Sequence, residues 1–152
     1  MNKNERAKLI LRILNKIYPE TPIPLNHNNN YELLVSVLLS AQCTDKRVNE
    51  VTPILFKKAN NAFKMKDISA DEIYKIVKPC GLGPKKSIAI QKLSFILVEK
   101  FNGKVPESFS ELEKLPGVGH KTASVVMSQG FNHPAFPVDT HIHRLSQRWG
   151  LT

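Results

Sequence analysis

The chain has 152 residues, which suits one domain and is long enough to bury a hydrophobic core. Its 22 Lys and Arg residues against 13 Asp and Glu residues give a net charge of +9, which favours a polyanionic partner. Apolar residues make up 41% and charged residues 23%, a composition that excludes a disordered chain. The longest apolar stretch, residues 33–41, is far too short to cross a membrane, and the charged start argues against a secretory signal.

Apolar residues recur at helical spacing along the whole chain, and no segment alternates as a strand does. This pattern predicts an all-α protein, an orthogonal array of about eight short helices joined by tight connectors. Capping patterns and apolar stripes place the helices at residues 9–17, 31–42, 45–55, 69–78, 84–100, 108–115, 121–129 and 140–148.

Three features of these helices can be predicted in more detail. The helix over residues 31–42 is apolar nearly all round and should lie at the centre of the fold. In the following helix Ile54 belongs to the apolar stripe, and Pro53 should kink or restart the helix. Gly130 should close the helix that starts at Lys121.

The segment Leu115-Pro-Gly-Val-Gly-His-Lys-Thr-Ala123 lies between two predicted helices. Gly117 and Gly119 permit positive φ and leave no side chain between the backbone and a ligand, so their amides can bind a phosphate. Val118 can anchor the turn in the core. A plain helix-turn-helix connection is the alternative. A P-loop is excluded, because His120 separates Gly119 from Lys121 and no strand precedes the turn.

A similar pattern, Gly81-Leu-Gly-Pro-Lys85, occurs 36 residues earlier. Three interpretations stay open for it: a second phosphate-binding turn, a loop that presents an exposed Leu82 as a wedge, or a simple connection between helices.

Lys121 and Asp139 are the candidate catalytic pair. A nucleophilic lysine must lose its proton near neutral pH, and the positive end of a helix dipole at Lys121 disfavours the ammonium form. Asp139 begins the helix 140–148, where amide donors keep a carboxylate ionised, so it can stabilise a cationic sugar. A phosphate-contacting lysine and an ordinary N-cap aspartate are the alternatives.

No metal site is expected within this sequence. Cys43 and Cys80 are the two cysteines, they lack ligand spacing, and their number fits a reducing cytoplasmic compartment. His141 and His143 are two residues apart on a helix, so they point in different directions. His141 is expected to pack beside the catalytic residues instead.

Taken together, Leu39-Ser-Ala-Gln-Cys-Thr-Asp45, the segment 115–123 and Val138–Arg144 resemble the signature segments of the endonuclease III family, in the same order. The resemblance implies a helix-hairpin-helix DNA glycosylase with AP lyase activity, which removes damaged, oxidised pyrimidines from double-stranded DNA and cuts abasic sites by β-elimination. It makes Lys121 the Schiff-base lysine and Asp139 the catalytic carboxylate. The implied DNA-binding residues are Gln42, Leu82, Gly117, Val118, Gly119, His120 and Thr122, with Gln42 filling the gap left by the extruded nucleotide and Leu82 wedging the opposite strand.

The resemblance also implies a domain division, with a six-helix barrel at residues 21–132 and an incomplete second helical domain made of residues 1–20 and 133–152. The family's [4Fe–4S] cluster uses four cysteines, so we expect it only if the natural protein continues beyond Thr152 with such a quartet. The expected state is a monomer associated with the nucleoid. Cys43, His120 and Gly83-Pro84 depart from the usual family residues, and His120 is expected to weaken phosphate binding.

Two rival functions remain open at this stage. A non-catalytic helix-hairpin-helix module would explain the charge and the hairpin but not the Lys121 and Asp139 combination. A monofunctional glycosylase would not need the lysine in the hairpin, which related adenine glycosylases lack. A metal-dependent nuclease would require a carboxylate cluster that the sequence does not offer.

Overall fold

The computed structural model describes residues 1–20, 22–135, 138 and 140–152. Over these residues the chain is helical, with no β-strand, as the sequence predicted. The α-helices are α1 Lys3–Ile17, α2 Asn30–Leu39, α3 Asp45–Lys58, α4 Ala62–Met65, α5 Ala70–Val77, α6 Gly83–Phe101, α7 Phe109–Glu113, α8 His120–Phe131 and α9 Thr140–Arg148, with a 3₁₀ helix at Lys78–Cys80.

The chain divides into two compact units, one formed by Pro24–Phe136 and the other by Met1–Ile23 together with Pro137–Thr152. The first unit contains α2 to α8. In the second unit, Asn2 and Glu5 form a capping box on α1, and Arg6 donates hydrogen bonds to the carbonyl oxygens of Trp149 (3.4 Å) and Gly150 (3.1 Å). The predicted apolar stripe on α1 is present but stays largely exposed, since Ile13 is 47% exposed and Ile17 58%.

The centre of the first unit is α2, whose nine residues Tyr31–Leu39 are all buried against α3, α6 and α8. This confirms the central helix, although it ends three residues earlier than the apolar pattern predicted. The Tyr31 hydroxyl bonds Ser94 Oγ at 2.6 Å, and Ser94 in turn donates to the Ile90 carbonyl. The largest fully buried side chains are Leu33, Leu34, Leu39, Leu55, Met65, Ile73, Ile90, Leu93, Leu97 and Leu112.

Side-chain caps fix several helix starts where the sequence predicted them. Thr44, Ser69 and Ser108 each accept a hydrogen bond from a backbone amide in the first turn of α3, α5 and α7. Pro53 lies inside α3, which runs continuously through it. Ile54, which the sequence placed on the apolar stripe of this helix, does not share the burial of Val48, Val51 and Leu55, because it is 61% exposed. It is Thr52 that is buried instead.

Gly130 does not close α8, contrary to the sequence prediction. The helix continues to Phe131 and ends at Asn132, which adopts the left-handed conformation. A Cβ on Gly130 would lie 2.9 Å from the Asn30 side-chain oxygen. Glycine at this position therefore allows α8 to approach the start of α2 closely.

Candidate active site

The hairpin between α7 and α8 has one side packed on the core and one side open. Gly117 has φ of +76°, and a Cβ there would lie 2.9 Å from the Ala89 Cβ and 3.0 Å from Leu38 Cδ1. Val118 is 6% exposed and holds the turn in the core. A Cβ on Gly119 would meet no atom within 4 Å. The backbone at Gly119 is thus accessible to a ligand.

Gly119 also caps α8, in an extended conformation. Within the described part of the chain no side chain caps the first amides of this helix. Unpaired amides and the positive end of the helix dipole together form a favourable site for an anion. This geometry is compatible with the predicted binding of a phosphate through the hairpin backbone, which stays a prediction.

His120 begins α8 on the exposed side of the hairpin. Its Nδ1 forms a hydrogen bond with the Glu113 carboxylate, and its ring stacks on Phe109 at a centroid distance of 5.8 Å. His133 contacts the same phenyl ring edge-on, at 5.7 Å. Because Nδ1 is engaged by Glu113, Nε2 is the ring nitrogen that can meet a ligand.

Lys121 and Thr122 open α8 beside the end of α2. Together with Val37, Ser40, Ala41, Gln42 and Val125 they line a cavity of about 330 Å³. Lys121 itself is exposed, so its amine is accessible. The fold therefore brings Lys121, Thr122 and Gln42 together, although 79 positions separate Gln42 from Lys121 in the sequence.

The two residues predicted to enter the duplex share an unusual backbone conformation. Gln42 has φ of +55° and Leu82 has φ of +47°, which is the left-handed region that side chains other than glycine rarely adopt. Both side chains are exposed, Leu82 by 49%. A large apolar side chain that is exposed, on a residue whose backbone is strained, suggests a functional role for its loop.

Lys86 is a residue whose importance the sequence analysis missed. It is 5% exposed, and its ammonium group donates to the carbonyl oxygens of Leu39 at 2.9 Å, Ala41 at 2.7 Å and Cys80 at 2.8 Å. The available signal was its spacing from Ile90 and Leu93, which places a lysine on the buried stripe of α6.

Cys43 and Cys80 lie together under these loops, where both line a cavity of about 270 Å³ with Gln42 and Gly81. Burial, reinforced by the neighbouring Cys43, raises the pKa of the Cys80 thiol to about 11. A [4Fe–4S] cluster needs four thiolates, and this sequence has two cysteines, so the residues present do not fit the cluster. Among the described residues no cluster of three metal-ligating side chains occurs.

One further predicted site residue that the structure describes, His141, belongs to the other unit. His141 is exposed on α9, where its Nδ1 accepts a hydrogen bond from Arg144 at 2.9 Å. Asp139 lies outside the described residues. No helix in the part of the chain that the structure describes is long and apolar enough to cross a membrane.

Comparison with known proteins identifies the family. A family model described as HhH-GPD superfamily base excision DNA repair protein matches residues 35–152. Endonuclease III of Bacillus subtilis (strain 168) is 44% identical over 147 residues, which cover 97% of this chain and 67% of the relative. The chain belongs to the endonuclease III family. Endonuclease III of Escherichia coli (strain K12), another member, is 42% identical over 148 residues, which cover 97% of this chain and 70% of the relative.

The fold agrees with this membership of the endonuclease III family. A trapped endonuclease III–DNA covalent intermediate superposes with a TM-score of 0.92 at 43% identity, covering 99% of this chain and 70% of that chain. A non-covalent endonuclease III–DNA complex gives the same values. The sequence-based family and fold class are therefore confirmed: an all-α base-excision repair protein with a helix-hairpin-helix motif.

Proposed function

We propose that this chain is a DNA glycosylase with AP lyase activity that excises oxidised pyrimidines from double-stranded DNA. The supporting observation is Lys121, the second residue of α8, which lines a cavity of about 330 Å³ next to the open backbone of the hairpin. Pockets of this size suit a small organic group, such as a base rotated out of the duplex. A phosphate held at Gly119 would bring the sugar of the same strand towards Lys121.

Binding starts with the DNA backbone. The net charge of +9 attracts the duplex, and the amides around Gly119 and His120 hold a phosphate at the start of α8. Thr122 and the Nε2 of His120 add polar contacts nearby. These groups recognise phosphate rather than base edges, so affinity depends little on sequence.

Extrusion of the nucleotide leaves a gap in the base stack. Gln42 fills it from the loop after α2, while Leu82 wedges the opposite strand from the loop before α6. Base extrusion costs a few kcal/mol and is cheapest for damaged, poorly stacked bases, so part of the selectivity for damage arises at this step.

Lys121 then acts as the nucleophile on the sugar. Its Nζ–C1′ bond forms as the bond between C1′ and the base breaks, and the base leaves with the electron pair and takes up a proton. The amine loses a proton, the sugar ring opens, and a Schiff base results. Loss of a proton from C2′ then expels the 3′ phosphate by β-elimination. Asp139 stabilises the positive charge that develops on the sugar as the base departs.

Reduction with borohydride tests this proposal directly. Wild-type protein is incubated with an abasic duplex and borohydride, which reduces the imine to a stable amine, and the adduct is located by peptide mass spectrometry. We expect one covalent adduct, on Lys121. Base release is measured in parallel on a duplex that carries an oxidised pyrimidine. DNA binding with neither an adduct nor base release would favour the non-catalytic module, and base release without an adduct would favour the monofunctional glycosylase.

Two further measurements test the role of Asp139 and the binding of the DNA backbone. Asp139→Asn should slow base release much more than it weakens DNA binding, because charge stabilisation acts mainly in the transition state. The logarithm of the binding constant should fall with the logarithm of salt concentration, by about 0.9 for each phosphate contacted. A slope near zero would contradict binding through the hairpin backbone and the basic surface.

The same proposal covers the assembly and location of the protein. A monomer suffices, since Lys121, Gln42 and Leu82 come from one chain, and affinity for duplex DNA would associate the protein with the nucleoid. The two cysteines of this sequence do not fit an iron–sulfur cluster, so no step of the proposed chemistry is assigned to one.

A further inference from the structure

Lys86 uses its three ammonium protons on three backbone carbonyls. Its Nζ donates to Leu39 at 2.9 Å, to Ala41 at 2.7 Å and to Cys80 at 2.8 Å, and the residue is 5% exposed. A lysine ammonium has three N–H donors, so all of them are engaged. No other side chain type places three donors on one atom in this way.

These carbonyls come from two loops that are remote in sequence. Leu39 is the last residue of α2, and Ala41 lies two residues later, directly before Gln42. Cys80 ends the 3₁₀ helix, two residues before Leu82. A single ammonium group thus ties together the two backbone segments that lead into Gln42 and Leu82.

The charge distribution around Lys86 favours an ammonium group at this position. The C-terminal end of α2 carries the partial negative charge of its last carbonyls, which favours a cation there. Burial lowers the pKa of Lys86 from its ordinary value, while the nearby thiols of Cys43 and Cys80 oppose that shift. Burying a cation is costly, so an apolar side chain on the buried stripe would be expected unless the three carbonyls required a donor.

We propose that Lys86 is a positioning residue for DNA distortion: it fixes the spacing between the Gln42 and Leu82 loops so that both side chains enter the duplex together. The inference rests on the proposed function of those two side chains. Without the ammonium, three carbonyls would face one another with no donor between them, and the loops would separate. Lys86 would then matter for binding to damaged DNA more than for binding to the phosphate backbone.

The first test compares Lys86→Met with Lys92→Met, which removes an exposed ammonium from the same helix. Affinity is measured for a duplex containing a tetrahydrofuran abasic analogue and for an undamaged duplex, well below each variant's melting temperature. Lys86→Met should reduce the preference for the abasic duplex by about tenfold, whereas Lys92→Met should leave it unchanged. An unchanged preference in Lys86→Met would overturn the proposal.

A mutant cycle separates positioning from general stability. The Lys86→Met substitution is repeated in a Gln42→Ala, Leu82→Ala background. If Lys86 acts through Gln42 and Leu82, its effect on the preference for the abasic duplex should fall to less than about twofold in this background, because the side chains that it positions have already been removed. An effect as large as in the wild-type background would show a merely structural role.

If Lys86→Met fails to fold, Lys86→Gln takes its place in both comparisons, because the amide keeps two N–H donors. Borohydride trapping by the wild-type protein is run in parallel. Absence of any adduct would count against the proposed function, whereas trapping together with an additive Lys86 effect would reject the positioning role alone.

Discussion

The hairpin Gly117–Lys121 and the loop Gly81–Lys85 share the pattern Gly-X-Gly-X-Lys, but the residue between the two glycines is buried in the first and exposed in the second. Val118 is 6% exposed, whereas Leu82 is 49% exposed and has a left-handed backbone. The first glycine has positive φ in both segments, so the difference begins at the second residue.

The second glycine explains the divergence. A Cβ on Gly119 would meet nothing within 4 Å, whereas one on Gly83 would lie 2.4 Å from the Tyr74 ring. The first segment therefore leaves its backbone open, as a phosphate requires. The second is packed under Tyr74 and turns Leu82 outward, which favours the wedge among the three interpretations of the sequence. Tertiary contacts, rather than the shared pattern, decide what each loop presents.

The largest expected difference between the two loops is chemical. Lys121→Ala should reduce strand cleavage at an abasic site by at least about 10³-fold while DNA binding survives, because the nucleophile is lost. Lys85→Ala should retain cleavage within a few-fold. Single-turnover cleavage rates measure both. Cleavage by Lys121→Ala at the wild-type rate would contradict the assignment and make Lys85 the next candidate.

Alanine at the two hairpin glycines should separate folding from binding. Gly117→Ala combines positive φ with close contacts to Ala89 at 2.9 Å and Leu38 at 3.0 Å, and it should lower the free energy of unfolding by about 2–5 kcal/mol. Gly119→Ala should change it by less than about 1 kcal/mol, because the altered cap and the lost backbone freedom offset each other.

The methyl group of Gly119→Ala should nevertheless reduce DNA affinity about tenfold by blocking the approach of a phosphate. Thermal melting and fluorescence-anisotropy titration measure the two effects. Equal affinity of Gly119→Ala and wild type would place the phosphate elsewhere.

Removing the Leu82 side chain should reduce the rate of base excision and leave the stability of the fold nearly unchanged. Leu82→Gly relieves a left-handed backbone but increases the freedom of the unfolded chain, so the free energy of unfolding should change by less than about 1 kcal/mol. Excision of a damaged base should slow by about tenfold. Asn102→Gly is the matched control, since Asn102 has φ of +53° at the end of α6. Loss of activity in both variants would argue against a wedge.

The smallest expected effect concerns the thiols under the second loop, which have no equivalent in the hairpin. Burial raises the pKa of Cys80 to about 11, so its reactive thiolate is scarce at pH 8 and becomes abundant only as the pH approaches that value. Iodoacetamide should therefore modify Cys43 before Cys80 in the native protein, and both rapidly in denaturant. Equal native rates, followed by mass spectrometry, would show that the loop opens readily.

The elements predicted from sequence are those that local chemistry determines. Ser69 and Ser108 cap their helices because an oxygen side chain lies three residues before an amide, and this relation is visible in the sequence. The apolar run of α2 likewise indicates burial on all sides. Lys121 is also close in sequence to the hairpin glycines, so this combination could be recognised without a structure. Its interpretation as a catalytic lysine came from the family resemblance.

The missed features depend on contacts between distant segments. Lys86 bonds two carbonyls that are 47 and 45 residues away, so no local pattern could reveal those two acceptors. Gly130 resembles a helix stop, but its role is the close approach to Asn30, 100 positions earlier. The positive φ of Gln42 and Leu82 could not be predicted either, because neither residue type favours that conformation.

The complete burial of α2 has a consequence for synthesis of the chain. Its partners α3, α6 and α8 all follow it, and α8 begins about 90 residues after Asn30. At about 5–20 residues per second, a ribosome needs roughly 5–20 seconds to deliver that last partner. During this interval the apolar segment Tyr31–Leu39 can be covered only in part, by the partners already made, so the nascent chain presents a binding site for chaperones until α8 emerges.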